Sequence, residues 1–535
     1  MRSDSVAAVC GVVRRRLPAT DPLSQHSLSK IRDLIGRCNQ HHAACLQDET
    51  LYVPTRLLDL SSLDQGRLRL VETKSLARLT SYVALSHTWG PPSDILTTTE
   101  KTLPDRKQSI AVSSLPANFQ DAAKVARAFG VHYIWIDSLC IIQDSKSDWA
   151  FESARMHRIY ASSYFTIAAT RATSATDGFL QQRPSTERAA LSFPIESTTK
   201  ATGEFNVSIR DGHWLEADHE KYVEDSRWNQ RGWTLQERIL SKRVLHFTDH
   251  MLYYECRCLD WMEDNRPAYA AVTRTPWLGS GPAGYHEDYH RESPKVSLYD
   301  SWYLLVERYS ARLLTKAEDK LPALSGVAHE MARLSGDQYL AGLWREDLAN
   351  SLLWNPNGRE SVPASSYRSP SWSWAQIDGQ VSISSDTNES SCISVLQAVV
   401  TPETTDDMGP VQSGHLVLRA KVATVTSIHS QSSSDASDRF SHYVYANDTL
   451  IAQGRLDTWT DSIGRDGLSA MLINTEPGKG DWKLAVKSGL LLQRVESATL
   501  CFRRIGTFII LSGRSPRDGR FDLFDKTAEQ DVCLI

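Results

Sequence analysis

Three separated segments hold residue types that suit recognition of a small polar molecule. Tyr82-Val-Ala-Leu-Ser-His-Thr-Trp-Gly90 ends an apolar run in Ser86, His87, Trp89 and Gly90. Ile134-Trp-Ile-Asp-Ser-Leu-Cys140 ends another in Asp137, Ser138 and Cys140. Arg231-Gly-Trp-Thr-Leu-Gln-Glu-Arg-Ile-Leu240 carries one acidic residue, Glu237. A flat aromatic, a flexible glycine, small hydroxyls and one carboxylate suit a nucleotide-like ligand. In an open parallel α/β sheet such a ligand binds beyond the carboxyl ends of the strands.

Each residue also has a purely structural reading. Glu237, expected on the exposed side of a short apolar helix, has Arg231, Arg238 and Arg243 as possible ion-pair partners. Asp137 is suited to capping the turn that follows it, and Trp89-Gly90 to a packed turn. Nucleophilic catalysis fits poorly. His132 starts the strand whose far end leads to Cys140, and Ser86 and His87 are neighbours that point apart on extended chain. Cys38, His41, His42 and Cys45 have ligand-like spacing but no evident fourth donor, with Cys256-Arg-Cys258 as a distant supplement. No metal is therefore expected.

The elements that position these residues follow from periodicity. Residues 27–60 read as a helix and a loop into Pro54. Leu68–Val71 and Ser81–Ser86 read as strands. Ser113, Ser114 and Pro116 start a helix that Gly130 ends, with Phe119, Ala122, Ala123, Ala126 and Phe129 on one stripe. The run 131–137 reads as a strand covered on both faces. A second helix carries Trp149, Met156, Ile159 and Tyr160, and a third strand spans Tyr164–Ala169. Alternation of strand and helix predicts a parallel α/β sheet. After a polar insertion at 171–226 come the helix of Glu237 and strands at Val244–Phe247 and Leu252–Cys256. Trp302, Leu305, Val306 and Tyr309 form a later helical stripe, and Leu340, Leu343, Trp344 and Leu348 another. Short strands follow Pro370-Ser-Trp-Ser-Trp374, and 430–438 reads as a Ser/Asp loop.

Bulk properties narrow the classes. With 535 residues, 41% hydrophobic and 23% charged, the chain is a globular protein of two or three domains. A net charge of -5 gives no support to a nucleic-acid or anionic-membrane surface. The 9 cysteines are scattered without a disulfide pattern, which favours a reducing compartment and a cytoplasmic location. The apolar run at 6–13 is followed by arginines rather than a cleavage site, so no secretory signal is expected. No apolar stretch is long enough for a membrane helix, and no P-loop is present.

The three segments, in this order, resemble the signature blocks of the fungal heterokaryon-incompatibility (HET) domain. The second block continues through Ile141-Ile-Gln-Asp144 to Met156 and Ala161. Weaker similarity to longer HET proteins touches Cys38, His42, Cys45, Asp319–Gly326, Tyr339–Trp344, Ser369–Trp374 and Arg504-Ile-Gly506. HET domains are distant relatives of TIR domains, a flavodoxin-like fold, some members of which hydrolyse NAD+. The resemblance implies a TIR-like domain at 71–262 after a helical extension at 1–70, then a linker at 263–295, a helical connector at 296–370 and a β-rich region at 371–535. It implies self/non-self recognition leading to cell death, by self-association or with another incompatibility protein. Ser86–Gly90 is similar to the TIR strand-end turn, and Trp233–Arg238 to the helix bearing the catalytic glutamate. Glu237 would then be catalytic, NAD+ the substrate, and Ser86, His87, Trp89, Gly90, Asp137 and Ser138 its binding residues, with no firm cofactor. The rival expectations are a non-enzymatic assembly adaptor and an accessory protein of a biosynthetic gene cluster.

Overall fold

The computed structural model describes residues 18–46, 52–76, 81–183, 218–265, 294–358, 361–383, 390–430, 442–458, 462–463, 467–476, 485–495, 501–511 and 523–535. The apolar run at 6–13, most of the insertion, nearly all of the linker and all but the first residue of the loop at 430–438 lie outside them. The chain divides into two compact units, 1–291 and 292–535.

The first unit is built on a nine-stranded sheet. Its strands are β1 (Arg56–Asp59), β2 (Arg67–Glu72), β3 (Val83–Ser86), β4 (Ile110–Ala111), β5 (Tyr133–Trp135), β6 (Thr166–Ala168), β7 (Arg243–Phe247), β8 (Leu252–Cys256) and β9 (Asp260–Met262). Their spatial order is β4-β2-β1-β5-β3-β6-β7-β8-β9. The expectation of a parallel sheet is corrected to a mixed one. Only β5, β3, β6 and β7 run parallel, while every pairing outside this centre is antiparallel. Connections of a few residues, such as 60–66 between β1 and β2 and 248–251 between β7 and β8, permit only antiparallel neighbours. β1 and the first four residues of β2 belong to this sheet although they fall within 1–70, the stretch expected to be a helical extension.

Five helices matter for the site and its supports. α1 (Gln25–His41) buries Ile31, Leu34, Ile35 and Cys38, one stripe at helical spacing, and Ser24 caps its start by accepting from the Ser27 N–H. α2 (Ala43–Leu46) follows directly. α3 (Ala117–Ala128) buries the expected Phe119, Ala122, Ala123 and Ala126, and Gly130 beyond it takes φ +75. The single helix expected through Trp149 and Tyr160 is two, Lys146–Ser153 and α4 (Met156–Ser162). α5 (Thr234–Leu240) packs on α4.

The second unit opens with helices Pro294–Ser310 and Pro322–Ser335. The helical stripe expected through Leu340 and Trp344 is a hairpin instead, Tyr339–Leu340 against Leu343–Trp344. Ala341 and Gly342 both take positive φ, which no helix accommodates, and a side chain at Gly342 would strike the Trp374 ring. In the β-rich region, strands Val411–Thr424, Leu468–Glu476, Val486–Arg494, Cys501–Leu511 and Glu529–Leu534 pair in a closed ring. Closure removes exposed strand edges among these five. Arg504 and Asp457 form a buried ion pair at 2.9 Å. No helix among the described residues is long and apolar enough to cross a membrane.

Candidate active site at the sheet's parallel centre

β3 is buried along its whole length between β5 and β6. Its apolar residues leave the chain at Ser86, whose hydroxyl is therefore fixed at a carboxyl strand end. Ser86 Oγ donates to Glu237 Oε2 and accepts from Trp228 Nε1 at 2.7 Å. Trp89 Nε1 donates to Asp137 Oδ2 at 2.8 Å, tying the first segment to the second. Arg231 donates to the His87 carbonyl oxygen, tying the third to the first. The three segments thus meet at one place through side-chain hydrogen bonds.

Glu237 is 3% exposed, which corrects the expectation of a solvent-facing carboxylate. Every residue of α5 is buried. Burying polar residues in such a helix is costly unless each finds a partner, and Gln236 Nε2 has none among the described residues. Thr234 Oγ1 donates to the Trp228 carbonyl at 2.9 Å, and Arg238 reaches Glu255 at 2.6 Å and Glu224 at 2.9 Å. Arg243 points instead to Cys38 and the Tyr164 carbonyl. Of the three arginines weighed as partners, Arg231 is the one whose charge bears on Glu237.

Burial pushes the Glu237 carboxyl up to about 7, against the pull of Arg231; Asp137 adds to the rise, and hydrogen bonds from Ser86 and Tyr160 oppose it. Asp137 is also raised by burial and held down in part by Arg231, the Ser138 N–H and Trp89. Two carboxyls and one guanidinium thus share a low-dielectric centre, and Glu237 changes charge near neutral pH. A carboxylate so placed can stabilise a developing positive charge or hold a proton for transfer.

The remaining candidates divide. Gly90 takes φ +83, and a Cβ there would lie 2.8 Å from Ser174 Cβ, so the turn after Trp89 needs glycine. Ser138 is buried, its N–H donating to Asp137 Oδ1 at 2.7 Å. Asp137 is the first residue of the helical turn 137–140, where no side-chain cap bond forms, so the expected cap is replaced by this neighbour contact and the bond from Trp89. His87 turns into the core, edge-on to Phe119 at 5.0 Å; burial and then the Arg231 charge lower it to about 3, so it is neutral. Cys140 is buried, and burial pushes it up to about 12, which suppresses a nucleophilic thiolate. His132 is exposed and contacts Arg127.

Two contributors went unassigned in the sequence reading. Tyr160, on α4, donates to the Leu85 carbonyl at 3.3 Å and also lowers the Glu237 carboxyl, and Trp228 holds Ser86. Both were visible only as apolar aromatics in a core pattern. Away from this site, the β7–β8 hairpin carries Cys256 to Cys38, His42 and Cys45, while His41 is exposed. The fourth donor missing from local spacing is therefore supplied by a residue more than two hundred positions away.

Residues 82–237 match the family model for heterokaryon incompatibility protein (HET). The matched segment begins at Tyr82, just before β3, and ends on Glu237. It supports a heterokaryon-incompatibility domain protein. Neither the curated proteins nor the solved structures give a match to the chain.

Proposed function

We propose that the chain is an effector of self/non-self recognition that leads to cell death, and that its HET domain hydrolyses NAD+ with Glu237 as the catalytic carboxylate. The observation that carries this reading is the Ser86–Glu237 hydrogen bond at the carboxyl end of β3. Numbered along the chain, the four parallel strands lie in the order second, first, third, fourth. Flavodoxin-like sheets begin with this order, and β3 and β6 flank the point where it reverses, the usual ligand position in such folds. The hydroxyls of Thr88 and Ser138, on the two strand-end segments, are buried without a partner among the described residues. Such groups call for a ligand or a water.

In the reaction, water adds to the ribose C1′ as neutral nicotinamide leaves, and one proton is released. The positive charge that builds on the ribose is stabilised by the ionised Glu237. Nicotinamide is a good leaving group, so one carboxylate suffices. Arg231 favours the ionised form, and turnover rises with pH through about 7, the value at which Glu237 ionises. The test is nicotinamide release by purified full-length protein at high concentration, with E237Q and E237A alongside. Release by the native chain and its loss in both variants supports the reading; no release, or release unchanged in E237Q, overturns it.

A second reading is favoured by the burial of Glu237. In it the Ser86–Glu237 contact is a packing centre, and the domain acts by assembling with its own copies or with another incompatibility protein. Expression in a host cell separates the two: toxicity that survives E237Q belongs to assembly, and toxicity lost with a folded E237Q protein belongs to catalysis.

A further inference from the structure

We propose that Cys38, His42, Cys45 and Cys256 bind one Zn2+ ion in tetrahedral Cys3His geometry, clamping α1 to the end of β8. The four donor atoms all lie within 4.8 Å of one another, and the Cys256 Sγ to His42 Nδ1 distance is 3.3 Å. Zinc bonds of about 2.3 Å to sulfur and about 2.0 Å to nitrogen set tetrahedral donors roughly 3.5–3.8 Å apart. The thiols therefore need move little to share an ion. All three cysteines are free and buried, and His42 is half-buried.

The local structure explains how these donors meet. Cys38 sits in the last turn of α1, where its side chain follows the buried stripe of Ile31, Leu34 and Ile35. The helix ends at His42, whose extended backbone lets the chain turn into α2, and the Cys45 N–H donates to the His42 carbonyl at 2.9 Å. Cys256 enters from β8, paired with Arg243 of β7. Arg257, the next residue, donates to the Ala44 carbonyl at 3.1 Å and fixes the α2 turn against the strand.

The surroundings fit the ion's charge. Three thiolates around Zn2+ leave one negative charge, and Arg243 Nε points at Cys38 Sγ from 3.1 Å. Arg243 is held in turn by Asn39 Oδ1 and the Tyr164 carbonyl. A fixed cation donating to a ligand sulfur is the kind of outer support that orients and neutralises a thiolate site. Soft sulfur donors with one imidazole select zinc over magnesium or calcium. Four protein donors leave no open position, so the ion is structural and takes no part in the chemistry at Glu237.

The test begins with the full-length protein purified under reducing conditions, its metal measured by mass spectrometry. About one zinc per chain is expected. Replacement by Co2+ should give the intense visible absorption of a tetrahedral thiolate site. C256S and H42A should lose the metal, while H41A, altered at the neighbouring exposed histidine, should keep it. Should the ligand variants fail to fold, alkylation of the native chain decides the matter by peptide mapping. Zinc must protect Cys38, Cys45 and Cys256 together, and its removal must expose all three. A chain without zinc that also takes up no Co2+ overturns the proposal. So do metal retained in C256S, loss of metal in H41A, and a disulfide among the three thiols.

Discussion

Ser86 and Glu237, 151 positions apart in sequence, share a hydrogen bond at the carboxyl end of the sheet's central strand. Trp228 Nε1 fills the other side of the Ser86 hydroxyl, so Ser86 has its proton committed toward the carboxylate. This pair fixes α5 on the strand end, and the titration of Glu237 becomes a property of the fold as well as of the site.

The first prediction follows from that coupling. Glu237 is raised from 4.5 to about 7 by burial, so the folded chain holds a proton that the unfolded chain releases earlier. Between these values stability falls as pH rises, because the folded state binds more protons than the unfolded one. The contribution is intact below 4.5 and lost above about 7. The size is on the order of 3 kcal/mol. E237Q cannot ionise, and thermal melts across this range should show a flatter profile for the variant than for the native chain. Parallel profiles would mean that Glu237 is ionised throughout.

A second prediction concerns the turn that presents Trp89. G90A is expected to destabilise by about 1–3 kcal/mol, since alanine resists positive φ and its Cβ would meet Ser174 at 2.8 Å. S174G removes the obstructing side chain but leaves the backbone strain. The double variant G90A/S174G should therefore recover part of the loss in urea unfolding and never all of it. Full recovery would assign the whole effect to the clash.

The sequence made the parallel centre of the first unit legible because each strand there is a short apolar run ending in polar residues. β3 and β5 could be located within two or three residues, and four of the five residues of the stripe are buried on α3, while Phe129 lies just beyond its end and is half-buried. The convergence of the three segments was legible too, since strand ends in such sheets share a rim. The burial of Glu237 was not. A helix pattern records which residues are apolar, and it cannot show that Ser86 and Tyr160 supply partners allowing a carboxyl to be enclosed. β1 was hidden for a similar reason, because its Arg56 and Asp59 are charged yet buried, Arg56 against Asp148 at 2.5 Å and Asp59 against Arg69 at 3.2 Å. The hairpin at Tyr339–Trp344 was masked by a spacing of apolar residues that suits a helix equally well.

The third prediction tests whether a buried arginine is held by charge or by shape. Arg504, in the second unit, is 2% exposed and meets Asp457 at 2.9 Å. Its other donors go to the carbonyls of Leu352, at 2.5 Å, and Trp354, and its guanidinium lies 3.5 Å from the Trp354 ring centre. One planar fork therefore joins strand Cys501–Leu511 to the chain around 352–354 and to Asp457. Lysine keeps the charge but has neither the fork nor the flat face. D457A is expected to cost about 3–5 kcal/mol by stranding the cation. R504K should cost nearly as much, because two buried carbonyls lose their donors at about 1–3 kcal/mol each. Denaturant unfolding of the full chain, followed by fluorescence of the buried tryptophans, measures both. A loss under about 1 kcal/mol in R504K would show that a point charge suffices there, as it does for exposed pairs.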